Sequence, residues 1–508
     1  MAAGAVSLYV AARLWRLTAG CLWFDEIFSV HAARHPWPEL WRFVAADLIH
    51  PPLFYALLKL WVSLGGESLL WLRLFPFLAS VAALVPLLLL AREVRLGRGA
   101  TGLALLLAAS NGYLVKYAQE LRMYSLLLLL ALTSLWLFAR FTNPGREGPR
   151  RGTLAALTLL NLLLVYTHYY GWLVVACEAV YLCGRAGRRR LLLPFMTGAG
   201  VVVVCFLPWV VACLGESGAG GGLAQNVGWI TRPGPSSFVE LFALLNEPFR
   251  FRQSSIDAPY ARASLWLGLL LAGLPVILLA GETLRRRGRG GEDRGPRVLF
   301  LLLFAALPAL LAFAASRVLP HSVWGTRHLI VIAAPFMLLA GAALARLRPR
   351  WLKAAALALL GLWLFAAGLG AALRRDEKQV WCTWGELAES ALADEPRPAR
   401  VYAFEDLVAY HLWFALGDEG ASVGVVKGLE GIPEDPAYFL PRRFNAVSVQ
   451  DAKEPFGRSF WVAFRATELN AAVSPLDALR RQGYTVEKVY EQAAGGQRAF
   501  LVRVTRPG

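Results

Sequence analysis

Two carboxylates, Asp25 and Glu26, stand where the first apolar run of the chain gives out, in Leu22-Trp23-Phe24-Asp25-Glu26. Placing a carboxylate in hydrocarbon costs about 3 kcal/mol or more, so acidic groups at the edge of a membrane helix point to function by default. An Asp in that layer is placed to act as a base on a substrate that itself lives in the lipid. The rigid, aromatic stretch His50-Pro51-Pro52-Leu53-Phe54-Tyr55 follows. Three further polar sets interrupt the apolar runs: Tyr117-Ala118-Gln119-Glu120-Leu121-Arg122-Met123-Tyr124-Ser125, then Thr167-His168-Tyr169-Tyr170, then His321 to Trp324 with Thr326-Arg327-His328. Each set alone reads as a hydrated cap on a helix end. Together they hold a carboxylate base, acidic neighbours and guanidinium groups that match phosphate oxygens in a bidentate way.

The elements that must position these residues are membrane helices. The chain has 508 residues, 57% hydrophobic and only 17% charged, with a mean hydropathy of +0.49. A soluble protein of this length carries more charge and shorter apolar runs. Eleven runs have the length and composition of bilayer spans: 2–18, 70–91, 100–117, 122–139, 153–168, 169–184, 191–214, 260–282, 298–315, 328–345 and 351–372. Residues 2–18 lack a small-residue cleavage site and are expected to remain as the first anchor; the shortness of this run raises an upstream start codon as an alternative.

The formal net charge is +17, and its placement is informative. Arg92, Arg95 and Arg98 fall in one connection; Arg146, Arg150 and Arg151 in another; Arg185, Arg188, Arg189 and Arg190 in a third. Two more carry Arg285, Arg286, Arg287, Arg289, Arg294 and Arg297, and Arg346, Arg348, Arg350 and Lys353. Every one of these loops falls on the same side of an eleven-span arrangement. By the positive-inside rule that side is cytoplasmic, and the pattern reads as topology rather than nucleic-acid binding. The N-terminus is then cytoplasmic. Asp25-Glu26, the polar sets and everything after 373 are extracytoplasmic, on a plasma (inner) membrane.

Residues 1–372 are thus expected to form the transmembrane domain. Segment 19–69 is its first outer part, with interfacial helices at 37–46 and 53–64 that carry Trp37, Trp41, Phe54, Tyr55 and Trp61; aromatic residues favour the headgroup level. Residues 373–508 lose the spanning pattern and alternate strand-like 401–404, 422–426, 460–464, 484–489 and 499–504 with helical 407–416 and 476–482, the signature of a small α/β domain. It has no glycine-rich phosphate motif. The six cysteines have no metal-ligand spacing. Only Cys21 and Cys382 fall in outer segments, and the sequence leaves their pairing open. Glu178 lies within an apolar span, as a functional carboxyl or as a protonated one bonded to a neighbouring helix. Gly218–Gly222 reads as a flexible linker, and 215–259, with Trp229 and Arg232, as a lid or prenyl-chain guide.

In order and spacing, Phe24-Asp25-Glu26, the His50–Tyr55 stretch and Gln119-Glu120-Leu121-Arg122-Met123-Tyr124-Ser125 resemble the membrane glycosyltransferases of family 39. Their relatives include the protein mannosyltransferases and the bacterial aminoarabinose transferases. Thr326-Arg327-His328-Leu329 matches more loosely, since the family more often has Arg-Tyr there. The resemblance implies a GT-C fold: a mainly α, polytopic transmembrane bundle, here with the small C-terminal α/β domain. It implies a donor sugar carried on a polyprenyl phosphate, and it maps the family's acidic pair on Asp25-Glu26.

Asp25 is then the expected general base, and direct displacement with inversion is expected because no second nucleophilic carboxylate is evident. Glu26 and Glu120 are expected to shape the acidic site, and Arg122 and Arg327 to hold the lipid phosphate. His50, Lys116, Gln119, Tyr124 and His168 are expected as further substrate-binding residues. No obligatory metal or other cofactor is expected; the partners are membrane lipid, the lipid-linked sugar and an acceptor (protein, lipid or glycan), not nucleic acid. A lipid-linked-sugar carrier or an envelope scaffold is the alternative. A carrier would favour midplane sites and repeated halves, and the sequence shows no convincing repeat.

Overall fold

The computed structural model describes residues 2–143, 150–184, 186–217, 227–228, 230–249, 258–287, 295–373, 379–394, 400–417, 421–430, 432, 440–472, 474–494 and 496–507. Gly218–Gly222, Trp229, Arg146, Arg185, Arg289 and Arg294 lie outside the described residues. The chain divides into two compact units. The first takes in Met1–Leu17, Leu48–Glu216 and Ile230–Arg374; the second takes in Thr18–Asp47, Ser217–Trp229 and Arg375–Gly508. Residues 18–47, read from the sequence as the start of the bundle's outer segment, thus fold within the second unit.

The first unit is helical. Among the described residues, seven helices are long and apolar enough to cross a membrane: Leu69–Glu93, Tyr124–Phe141, Arg189–Glu216, Tyr260–Arg285, Arg297–Val318, Thr326–Arg346 and Arg350–Leu373. They match seven of the eleven expected runs. The other four are shorter apolar helices, Ala3–Leu14, Arg98–Ser110, Arg151–Thr167 and Gly171–Cys183. The expected run 100–117 is broken at Asn111, whose side chain caps a new helix, Gly112–Gln119, by accepting from the Leu114 N–H at 3.0 Å. A polar cap replaces the continuing ladder there. Leu193, Val211, Leu362 and Phe365 are exposed on two of the long helices, as suits a hydrocarbon solvent.

Close packing inside the unit uses small residues, as membrane bundles do. A Cβ on Gly341 would lie 2.6 Å from the Ala100 carbonyl oxygen, so the Ala333–Arg346 and Arg98–Ser110 helices meet backbone to backbone. The N-terminal helix is pinned by the fully buried Arg13. Its Nε donates to Ser80 Oγ at 2.9 Å, and its terminal nitrogens donate to the Tyr9 and Ala108 carbonyls. Its guanidinium lies over the Tyr9 ring, 3.3 Å from the centroid.

The second unit is built on a six-stranded sheet ordered β3-β2-β1-β4-β6-β5. The strands are β1 (Arg400–Ala403), β2 (Ser422–Lys427), β3 (Val447–Asp451), β4 (Ser459–Ala466), β5 (Thr485–Ala494) and β6 (Gln497–Thr505). β1 pairs in parallel with β2 and β4, and β2 with β3; β6 runs antiparallel to β4 and β5. Successive residues point to opposite faces, and both faces are covered. Val401, Ala403, Val423 and Trp461 enter one core with Trp384 and Tyr410, while Tyr402, Val426 and Val462 enter the other. This is why β1 and β2 read as continuous apolar runs rather than alternating ones.

Ile27 belongs to the first of these cores, with Leu22 and Phe24 packed against it. The helix Phe24–Arg34 is therefore part of the sheet domain's own interior. A disulfide between Cys21 and Cys382, Cα atoms 5.3 Å apart, fastens its start. His31 Nδ1 and the Tyr410 hydroxyl, 2.9 Å apart, fasten its middle.

Candidate active site

Three histidines from separate parts of the chain meet in the helical unit, all buried: His50, His168 and His328. Ring centroids are 5.5 Å apart for His50–His168, 6.5 Å for His50–His328 and 4.7 Å for His168–His328. His50 is set by the stiff Pro51-Pro52 pair that opens the Leu53–Gly65 helix. His168 occupies the turn between Arg150–Thr167 and Gly171–Cys183, closed by the Gly171 N–H donating to the His168 carbonyl at 2.8 Å. His328 lies in the first turn of Thr326–Ile332. A Cβ on Gly325 would approach its Nδ1 to 2.5 Å, so only glycine at 325 leaves room for the ring where it stands.

Arg122 is buried beside them, in the turn that joins Gly112–Gln119 to Tyr124–Phe141. Its N–H donates to the Glu120 carbonyl at 2.7 Å, and Ser125 Oγ donates to the Tyr117 carbonyl at 2.8 Å, which shapes the turn. The guanidinium donates to the Tyr55 hydroxyl and to His50 Nδ1, each at 3.4 Å. Arg327 lies near enough to act electrostatically on Tyr117, His168 and His328. Tyr124 completes the wall, its ring 6.1 Å from His328 and 6.5 Å from His168.

The hydrogen bonding fixes where protons sit. Arginine only donates, so His50 Nδ1 is an acceptor and that ring carries its proton on Nε2. The Tyr170 N–H donates to His168 Nδ1 at 3.0 Å, so His168 also carries its proton on Nε2. That atom, and both ring nitrogens of His328, are buried with no hydrogen-bond partner among the described residues. Buried polar atoms of this kind mark a place where a ligand completes the bonding. The group presents donors: two Nε2–H bonds and a permanent cation.

The acidic pair belongs to the second unit. Asp25 is half-buried in the first turn of Phe24–Arg34, where a carboxylate suits the helix dipole. Its backbone carbonyl accepts from Ser29 Oγ at 2.9 Å. Glu26 is buried, and its carboxylate accepts from the Trp23 N–H at 3.1 Å. Glu26 thus closes the helix start as a capping residue does.

No family model matches the chain, and no curated protein matches it. Solved structures do. The apo structure of ArnT from Cupriavidus metallidurans has a TM-score of 0.61 at 16% identity, covering 99% of this chain and 98% of that one. The same protein bound to undecaprenyl phosphate gives 0.54 at 15% identity, with the same coverage. The oligosaccharyltransferase of Archaeoglobus fulgidus, in complex with Zn and sulfate, gives 0.50 at 15% identity over 82% of this chain. The chain spans only 61% of the length of that oligosaccharyltransferase. The fold is GT-C.

Within the GT-C bundle the remaining expected residues divide by what they touch. Lys116 Nζ pairs with the buried Glu120 at 3.1 Å. Gln119 donates to the carbonyls of Arg13 and Trp15 and so ties the N-terminal helix in place. Arg232 donates to the Leu319 and Pro320 carbonyls. Sequence reasoning passed over three groups. Tyr55 holds Arg122, and its signal was the aromatic end of the His50 stretch. His328 was noted beside Arg327 without a role. Glu247 is fully buried, with its carbonyl accepting from the Gly112 N–H at 2.8 Å; Asn246-Glu247-Pro248 gave little sign of it.

The same three histidines could gather round a metal ion, since one ring nitrogen from each lies within 4.8 Å of the others. The linear spacing gave no hint of this cluster. Zinc ligation holds imidazole nitrogens about 2.0–2.1 Å from the metal, so the set would have to contract. Ligation through Nε2 would also move the His50 and His168 protons to Nδ1, where Arg122 and the Tyr170 N–H already donate. The wiring suits an oxyanion better than a cation.

Proposed function

We propose that this protein is a membrane glycosyltransferase that moves a sugar from a polyprenyl phosphate to an acceptor on the extracytoplasmic face. The observation that carries the reading is the donor-lined group around Arg122. A buried arginine, two histidines that present Nε2–H and the nearby Arg327 suit a phosphate ester held against lipid. The ArnT structure of the same fold with undecaprenyl phosphate supports that class of ligand.

In the proposed reaction an acceptor hydroxyl attacks the anomeric carbon. Its O–H proton passes to Asp25 as the new C–O bond forms, a contribution of roughly 10²–10⁴-fold. The anomeric C–O bond to phosphate breaks, and the polyprenyl phosphate leaves as an anion stabilised by Arg122 and Arg327. One carboxylate acting as base without a nucleophilic partner gives inversion. Glu120, paired with Lys116, shapes the acidic site, and Glu26 holds the Asp25 helix start. The scheme requires no obligatory metal. The Cys21–Cys382 disulfide supports an oxidising, extracytoplasmic setting for the second unit, in line with the distribution of arginines.

Purified protein in lipid is supplied with a panel of polyprenyl-phosphate sugars and a membrane extract as acceptor. Wild type is expected to release polyprenyl phosphate; Asp25→Asn is expected to lose that release while folding normally. Release by neither, with a competent acceptor pool, would move the reading to a lipid-linked-sugar carrier. A trapped glycosyl-enzyme adduct or retained anomeric configuration would reject inversion.

A further inference from the structure

At the other end of the Thr326–Arg346 helix from His328, a cavity of about 290 Å³ opens between helix ends. Arg95, Arg297 and Arg346 line it, with Val94, Leu96 and Leu301 among its apolar wall residues. Each arginine comes from a different basic connection of the sequence, and the fold brings the three to one place. We propose that this cavity binds the phosphate headgroup of an anionic membrane lipid, on the membrane face opposite the histidine group.

Several features support it. Three arginines from separate connections line one cavity, and guanidinium groups match the oxygens of a phosphate ester. The volume is several times the roughly 30 Å³ share of one water, and its walls are part apolar, so it suits a headgroup with the start of its acyl chains better than a free ion. Basic pockets between membrane helices are the usual seats for anionic headgroups. The backbone at Arg95 adds an independent sign. The Leu84–Glu93 helix ends with the Leu96 N–H donating to the Ala91 carbonyl at 2.8 Å and the Arg95 N–H to the Arg92 carbonyl at 2.9 Å. In this termination Arg95 sits at the position that glycine normally fills, with φ +52°. The side chain is kept there against the conformational preference, and it lines the cavity.

The test uses full-length protein in neutral detergent, titrated separately with phosphatidylglycerol, phosphatidylcholine and inorganic phosphate. Thermal shift and native mass spectrometry are the readouts. Wild type is expected to retain phosphatidylglycerol and to gain several degrees of melting temperature from it, with no gain from phosphatidylcholine or millimolar phosphate. Arg95→Gln/Arg297→Gln/Arg346→Gln is expected to bind that lipid about tenfold or more weakly. Arg140→Gln/Arg285→Gln/Arg348→Gln, which removes equal charge elsewhere, is expected to bind as wild type does.

The Arg95→Gly variant guards against misfolding: glycine fits the backbone, so it should melt no lower than wild type in neutral detergent yet lose most of the lipid-dependent shift. Equal loss in both triple variants would overturn the proposal in favour of non-specific charge. An equal gain from inorganic phosphate would overturn the lipid as the source. None of these readouts depends on sugar transfer.

Discussion

Arg122 and Glu178 are both buried charged-type residues in a membrane bundle, and the structure gives them opposite characters. An arginine keeps its charge in any surroundings, so Arg122, buried and donating to a tyrosine hydroxyl and a histidine nitrogen, is suited to an incoming anion. Arg122→Lys retains a positive charge but loses the planar fork. A lost charge-assisted hydrogen bond is worth about 1.5–3 kcal/mol, so kcat/KM for the lipid-linked donor should fall about 10–100-fold with melting temperature unchanged. A variant with wild-type kinetics would remove Arg122 from the donor site.

Glu178 instead closes a ring of contacts: Ser134 Oγ to Asn161 at 2.6 Å, Ser134 Oγ to Glu178 at 2.8 Å, and Asn161 to Glu178 at 2.8 Å. Ser134 and Asn161 both donate to the carboxyl, which joins three helices as a structural hydrogen-bonding group. Glu178→Gln should cost under about 1 kcal/mol. Glu178→Leu should cost about 1–3 kcal/mol for each partner left unsatisfied, read as a thermal shift in detergent.

At the scale of elements, the long apolar runs announced themselves, because hydrocarbon solvent permits little else for a stretch of that length. The strands β1, β2, β4, β5 and β6 were also legible from their β-branched and aromatic runs. What the sequence hid was interruption and convergence. Asn111 reads as one polar residue in an apolar run, and only its capping geometry shows that the helix restarts there. His50, His168 and His328 are far apart in the chain and follow no ligand spacing, so their meeting depends on how the helices pack. Gly325 is the local key to that meeting. Gly325→Ala should displace the His328 ring and lower lipid-phosphate affinity, measured by binding, while leaving the helix content unchanged; unaltered binding would separate His328 from the ligand.

In the second unit, burial pushes His31 down to about 3 and His411 down to about 4. His31 is packed by Phe43, Tyr410, Trp413 and Phe444, and His411 lies against Trp381. Both rings are neutral when folded and take up protons near pH 6.5 when unfolded. Stability of this unit is therefore fully present above about pH 6.5 and is lost as pH falls toward 4, by up to about 1.4 kcal/mol per pH unit for each ring. Hydrogen exchange of β1 and β2 against pH should show that slope, and His31→Phe should flatten it.

On the scale of the whole molecule, the second unit draws on three separate segments of the chain. The residues from Thr18 to Asp47 leave the first helix, contribute Ile27 to the sheet domain's core, and return to the bundle at Leu48. The C-terminal segment supplies the rest of that core. A reading by position in the sequence assigns Asp25 to the membrane domain and the residues after 373 to a separate α/β domain. The packing assigns the helix that bears Asp25 to the sheet domain, so removing residues after Arg374 should expose the apolar face of Phe24–Arg34 as well as delete a domain. The disulfide makes this testable without truncation. Cys21 and Cys382 are 361 residues apart, and loss of a native disulfide typically costs about 2–5 kcal/mol.

Cys382→Ser leaves every residue of the bundle in place. In protein prepared without reductant, wild type should resist alkylation at Cys21, whereas the variant should label there. Limited proteolysis should then cut Phe24–Arg34 faster in the variant, with the bundle's seven long helices equally protected in both. If the proposed role of Asp25 holds, transfer should fall while binding of polyprenyl phosphate at the Arg122 group stays as in wild type. That outcome would locate the base on an element whose position depends on the sheet domain, and the phosphate site on one that does not. Full transfer by Cys382→Ser, with Cys21 shown to be labelled, would mean that the core contacts of Ile27 and the His31–Tyr410 bond hold the Asp25 helix unaided.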